Sequence, residues 1–139
     1  MSSEPIRIAS VGLGWWSDVL ADAAQRTDGQ VQVATCFTRS EEKRNAFAEK
    51  YNCAAASSME EVLSDDSIDG VINTTPNHVH FETTAEAAKA GKHVFLDKPI
   101  ANTIADAKAI TQVCKDNDVG LGVGYQRRRQ GHFRWIQEQ

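Results

Sequence analysis

Four short stretches of this 139-residue sequence bring together residue types that could do chemistry. In Gly12-Leu13-Gly14-Trp15-Trp16-Ser17, two glycines in a G-x-G-x-x-S spacing follow the apolar run Ile6 to Val11. A helical pattern in Val19, Leu20, Ala23 and Ala24 comes next. Gly12 can adopt the backbone angles of a tight turn, and Gly14 has no Cβ to hold the chain away from an anion. Free N–H groups at the start of the following helix would face that anion, so the stretch is suited to a pyrophosphate. Leu13, Trp15 and Trp16 belong to the same turn and are expected to line it. Ser17 stands where the dinucleotide fingerprint has a third glycine or an alanine, so a helix seated slightly farther from the sheet is expected. The glycines alone fit an ordinary strand-to-helix turn equally well, and the other stretches must decide.

The second stretch, Thr38-Arg39-Ser40, follows an apolar run at the place where a ribose 2′-hydroxyl would call for an acid. A guanidinium instead pairs with a 2′-phosphate and lies on an adenine face, and two hydroxyls can donate to the same phosphate. NADP is therefore preferred, while Glu41 and Glu42 one turn on keep NAD open. In the third stretch Thr74, Thr75 and Asn77 put small polar groups beside a nucleotide, and Pro76 fixes the bend before a helix. His80 is expected in the first turn of that helix, either reaching the cofactor or packing there. His78 and His80 lack a cysteine or carboxylate at ligand spacing, so no metal is expected. The fourth is Asp97-Lys98-Pro99. A lysine at the end of an apolar strand could hold a substrate hydroxyl and move its proton during hydride transfer. Equally, it could pair with Asp97 or a helix end as structural charge.

The elements that must carry these stretches alternate along the chain. Strands are expected at 6–11, 31–37, 53–56, 71–74, 93–96 and 119–123, from short apolar runs bounded by glycine, aspartate and asparagine. Between them lie helical patterns capped by Ser40, by a Ser58-x-x-Glu61 box and by Thr103, with a longer helix from Asn77 to Ala90 stopped by Gly91. Strands joined through helices predict an α/β fold: a Rossmann-like, doubly wound parallel sheet of about six strands in the order 3-2-1-4-5-6, covered on both faces. In that order the ligand lies across the carboxyl ends of the strands, where all four stretches fall.

Composition excludes several alternatives. A net charge of −4 argues against nucleic acid as a partner, despite Arg127, Arg128 and Arg129. No apolar run is long enough for a membrane span, and the first residues do not resemble a signal peptide, so a cytoplasmic location is expected. Three widely spaced cysteines suggest buried thiols rather than a disulfide framework or zinc site.

Taken together, Val11-Gly12-Leu13-Gly14, Thr75-Pro76-Asn77-His78-Val79-His80, Ala90-Gly91-Lys92-His93-Val94 and Asp97-Lys98-Pro99 resemble the glucose-fructose oxidoreductase and inositol dehydrogenase family. The resemblance covers nearly the whole chain as that family's amino-terminal Rossmann domain. It implies cofactor contacts at Gly12, Gly14, Thr75, Pro76, Asn77 and His80, and a catalytic role for Lys98. Asp97 stands where the family usually has glutamate. Tyr125-Gln126-Arg127-Arg128 is similar to the segment that approaches the nicotinamide, which adds Gln126. The implied activity is NAD(P)-dependent oxidation or reduction of sugars, polyols and related small molecules. The substrate would be met through a second domain that this sequence does not reach, and homo-oligomers would assemble through that domain. Residues 1–124 are accordingly expected to form the nucleotide domain, and 125–139 to start the connection onward, with a helix beginning near Gly131. The competing functional class is a non-catalytic nucleotide-binding or interaction module using the same pocket.

Overall fold

Alternation of apolar and small residues in the first run produces β1 (Ile6–Val11), and five further short runs produce β2 (Val31–Phe37), β3 (Ala54–Ala55), β4 (Gly70–Asn73), β5 (His93–Leu96) and β6 (Leu121–Val123). The structure, a computed structural model, describes residues 4–131. All pairings are parallel, in the order β3-β2-β1-β4-β5-β6. The order reverses beside β1, which places a crevice at the carboxyl ends of β1 and β4. The crossovers are α1 (Trp15–Gln25), α2 (Glu41–Tyr51), α3 (Met59–Ser64), α4 (His80–Lys89) and α5 (Ile104–Asp116).

Local chemistry sets the helix starts. The Ser40 hydroxyl accepts from the Lys43 amide at 3.4 Å, Ser58 from the Glu61 amide at 3.0 Å and Thr103 from the Asp106 amide at 3.1 Å. The Ser58 box closes one residue early, because the Glu61 carboxylate accepts from both the amide and the hydroxyl of Ser57, at 2.7 and 2.6 Å. Two donors on one residue outcompete the single amide of Ser58. The expected 77–90 helix is split: Pro76, with ψ of 143°, leads into a 3₁₀ turn at Asn77–Val79, and the α-helix proper begins at His80.

Two apolar layers sandwich part of the sheet. On one face Ile8, Val33 and Cys36 meet Ala21 and Ala24 of α1 and Phe47 and Tyr51 of α2. On the other, Val11, Val71, Val94 and Leu96 meet Val62 of α3, Ala87 of α4 and Ile110 of α5. Among the described residues, the cover expected on both faces is incomplete over β5 and β6. There Val94 and Leu96 are buried, whereas His93 and Phe95, pointing to the opposite face, are exposed. The reason is placement: α4 packs on β4 and β5 and against α5, while α1 and α2 pack chiefly on β1, β2 and β3. Ile6, Ile72 and Phe95 line an apolar groove on that side, floored by Gly70, Gly120 and Gly122. Among the described residues no helix is long and apolar enough to cross a membrane. Beyond Gln126–Arg129, a 3₁₀ turn, the helix anticipated after Gly131 lies outside the described residues.

Candidate dinucleotide site

Sheet hydrogen bonding continues one residue past the strand ends and lines up the loops. Gly12 N–H donates to Phe37 O at 3.0 Å, Thr74 N–H to Val11 O at 2.8 Å, Asp97 N–H to Asn73 O at 2.9 Å and Gly124 N–H to Leu96 O at 2.9 Å. The four chemically suggestive stretches therefore leave the sheet from one rim.

At the centre of the rim, Gly12 has φ of +84°, which disfavours any side chain. A Cβ there would lie 2.6 Å from Thr75 N and 2.7 Å from Thr74 C, so glycine also lets the β1 and β4 loops touch. Thr74 reinforces that contact, its hydroxyl donating to the Gly12 carbonyl by a short hydrogen bond. Gly14 has extended angles and caps α1 without a side-chain hydrogen bond, and a Cβ on it would meet nothing within 4 Å. The amides of Trp15 and Trp16, the first two of α1, have no acceptor within the helix. Open space before unsatisfied amides fits a phosphate. Ser17, in the third glycine's place, is buried and donates to Gly14 O at 2.5 Å, so its hydroxyl is absorbed by the cap.

Asp18, one turn into α1, would oppose an anion, but its charge is already answered. Lys50 Nζ lies 2.7 Å from Asp18 Oδ1, and the Tyr51 hydroxyl donates to the same oxygen at 2.8 Å. Burial pushes the Asp18 carboxyl up, and the Lys50 and Tyr51 hydrogen bonds outweigh it, leaving it below the ordinary aspartate value.

A cleft of about 330 Å³ runs along the rim, lined by Gly12, Thr38, Arg39, Thr75 and Pro76. Arg39 is exposed and makes no ion pair or hydrogen bond among the described residues. Beside it Ser40 is spent as the α2 cap, and the Thr38 carbonyl accepts from Arg44 Nη1 at 3.0 Å. Trp16 and Gln126 line a different cavity of about 870 Å³, with Gly124 and Tyr125. Leu13 faces the α1–α2 core, so its approach to the rim is through backbone, while Trp15 is largely exposed.

The β5 loop separates its two candidates. Lys98 is exposed and has no partner among the described residues, so the alternative of a structural pair with Asp97 is not realised. Asp97 turns inward instead, and its Oδ1 is buried without a hydrogen-bond donor among the described residues. Trp16 Nε1 is likewise buried without an acceptor. Such orphaned groups are uncommon in protein interiors.

His80 does not project into the cleft. It is 1% exposed, with Nε2 2.8 Å from Thr75 O and Nδ1 3.0 Å from Pro99 O. The residue that sequence reasoning missed is Asn73. Fully buried at the end of β4, it accepts from the Thr75 amide at 3.1 Å and the Thr75 hydroxyl at 2.6 Å, and donates to Thr84 Oγ1 at 3.3 Å. An asparagine closing an apolar strand ahead of Thr-Thr-Pro is the available signal, since its side chain readily bonds backbone two residues on. Among the described residues no group of three or more His, Cys, Asp or Glu side chains could hold a metal ion.

The fold and rim thus define a dinucleotide-binding α/β domain. Comparison with known proteins agrees: residues 6–125 match the model of an oxidoreductase family with an NAD-binding Rossmann fold, and the chain belongs to that family. It is 34% identical over 120 residues to an uncharacterized oxidoreductase of Streptococcus pneumoniae, covering 86% of this chain and 32% of that protein. It is 32% identical over 117 residues to the NADP(+)-dependent scyllo-inositol 2-dehydrogenase of Bacillus subtilis, covering 84% of this chain and 35% of that one. Among solved structures, the WlbA dehydrogenase of Bordetella pertussis in complex with NADH and UDP-GlcNAcA superposes with a TM-score of 0.93 at 25% identity, over 99% of this chain and 40% of that one. The chain therefore spans about a third of the length of these curated relatives.

Proposed function

We propose that this chain is the dinucleotide-binding part of an oxidoreductase that moves a hydride between a nicotinamide and a sugar, polyol or related hydroxy or keto compound, with NADP(H) preferred. The observation that supports this reading best is the shared rim. Arg39 follows β2 and Lys98 follows β5, both exposed and unpartnered among the described residues. Strand spacing of about 4.8 Å puts those two strands roughly 14 Å apart, a span suited to an extended dinucleotide.

On this reading Arg39 pairs with a ribose 2′-phosphate, with Thr38 and Ser40 beside it. The Trp15 and Trp16 amides receive the pyrophosphate in the space left by Gly14. Thr74 holds the glycine turn, Thr75 and Pro76 line the cleft shared with Arg39, and Asn77, Asp97 and Gln126 border the nicotinamide end. When bound, the nicotinamide supplies hydride acceptance or donation. Lys98 holds the substrate hydroxyl, takes its proton as the hydride leaves, and returns it in the reverse direction. A sugar or polyol substrate is supported by scyllo-inositol and UDP-GlcNAcA in the names of relatives. Substrate selection and any homo-oligomer contacts fall to the portion matching the rest of those longer proteins.

Titration with NADPH and NADH, read by nicotinamide fluorescence or quenching of Trp15 and Trp16, tests the proposal. NADPH should bind tighter. Arg39→Ala should weaken NADPH by about 10- to 100-fold, as expected for losing charge-assisted hydrogen bonds of about 1.5–3 kcal/mol, with NADH little changed. A clear NADH preference in the unaltered chain would overturn the role of Arg39. In a chain carrying a substrate domain, Lys98→Ala should lower turnover much more than cofactor affinity.

A further inference from the structure

His80 begins α4, yet its ring is used for neither helix capping nor apolar packing alone. Its two nitrogens face backbone carbonyls of two different loops, Thr75 O at 2.8 Å after β4 and Pro99 O at 3.0 Å after β5. A carbonyl can only accept and a neutral imidazole carries one N–H, so the ring donates to one of the two carbonyls and packs against the other. The ring is 1% exposed, which shields both contacts from competing water.

The two loops differ in how else they are held. Thr75 is gripped from its other side by Asn73 and lies against Gly12. Beyond Pro99, the Ile100 amide reaches the Tyr125 hydroxyl only at 3.4 Å. Lys98 itself is exposed, with no side-chain hydrogen bond or ion pair among the described residues. Where its ammonium can stand is thus set by the backbone of its own loop. Past the last sheet hydrogen bond, from Asp97 N–H to Asn73 O, His80 ties that loop to the well-held Thr75 turn.

We propose that His80 is a positioning residue: by bridging the Thr75 and Pro99 carbonyls it sets the separation of the β4 and β5 loops, and with it the placement of Lys98 against the nicotinamide end of the dinucleotide. This rests on the dinucleotide reading above and adds a role that acts through other residues rather than through cofactor contact. Its consequence is selective. Loosening the bridge frees the Pro99 loop and disturbs the nicotinamide end, while Thr75 stays held by Asn73 and the adenine end by β2 and the start of α1.

The test uses His80→Leu and His80→Gln in this chain with two ligands, NADPH and 2′-phospho-ADP-ribose, which lacks only the nicotinamide. Circular dichroism monitors folding. His80→Leu should weaken NADPH about tenfold and abolish the rise in nicotinamide fluorescence on binding, while 2′-phospho-ADP-ribose affinity stays within about twofold. His80→Gln, which keeps one amide donor of similar reach, should recover part of the loss and carries the test if the leucine variant does not fold. An equal loss for both ligands, or no loss for either, would overturn the positioning role while leaving the dinucleotide site standing. If the unaltered chain bound neither ligand, the dinucleotide reading would fail first and the bridge's role with it.

Discussion

Gly12 and Gly14 look alike in the sequence but should fail in opposite ways when replaced by alanine. At Gly12 the new methyl would stand 2.6 Å from Thr75 N, 2.7 Å from Thr74 C and 2.8 Å from Thr75 Cα, all backbone atoms that no rotamer change can move. Holding a non-glycine residue at φ of +84° costs about 1–2 kcal/mol, and relieving the overlap about 1–3 kcal/mol more. Gly12→Ala should therefore lose about 2–5 kcal/mol of folding stability. At Gly14 the methyl meets no atom within 4 Å and the backbone is already extended. Alanine there is a poorer helix cap than glycine but lowers the entropy of the unfolded chain, so the net change should stay within about 1 kcal/mol. The methyl would nevertheless occupy the approach to the Trp15 and Trp16 amides, and NADPH affinity should fall at least tenfold. Urea unfolding followed by circular dichroism, with NADPH titrations of the folded variants, separates the effects. A Gly12→Ala chain with the unaltered midpoint would refute the close approach of the two loops. A Gly14→Ala chain binding NADPH normally would refute the pyrophosphate placement.

Other consequences can be checked on the same protein. The neighbouring Cys36 lowers the Cys53 thiol pKa, while Cys36 itself is raised by Cys53 and by burial, and burial raises Cys114. Iodoacetamide near neutral pH should therefore label Cys53 first, as peptide mass mapping would reveal; initial labelling at Cys114 would contradict it. Asp18 is depressed in the folded chain, so its contribution is present above the ordinary aspartate pKa and is lost as pH falls through the lower folded value. Asp18→Asn should accordingly flatten the fall in stability at the acid end, measured as urea midpoints between pH 5 and about pH 2. Ile110, fully buried where α5 meets the sheet, should cost about 2–5 kcal/mol when cut to alanine, with cofactor specificity unchanged in the folded fraction.

Much of this was legible from local pattern. Val31–Phe37 and His93–Leu96 appear at the bounds read from their apolar runs, and Ser40, Ser58 and Thr103 cap the helices that their types announce. These features depend on a few neighbouring residues, which is all that periodicity and capping rules see. The rim's inner wiring is different. That Gly12 must be small for Thr75, that Asn73 organises the loop after it, and that His80 spans two loops are contacts made only once distant strands align. Lys92 makes the same point: read only as part of a motif, it is 5% exposed and donates to Asp65 O at 2.7 Å. The thin cover over β5 and β6 among the described residues escaped notice because alternating strands and helices say how many layers there are, and helix placement decides how far each extends.

That thinly covered side has a practical consequence. Ile6 is 56% and Phe95 39% exposed along a glycine-floored trough, a surface that environment-sensitive dyes such as anilinonaphthalene sulfonate would wet while the protein is still folded. Thermal-shift traces with such dyes should start bright and rise little, so that a melting point taken from them would track desorption rather than loss of structure. Far-ultraviolet ellipticity is the observable on which comparisons among variants of this chain should rest.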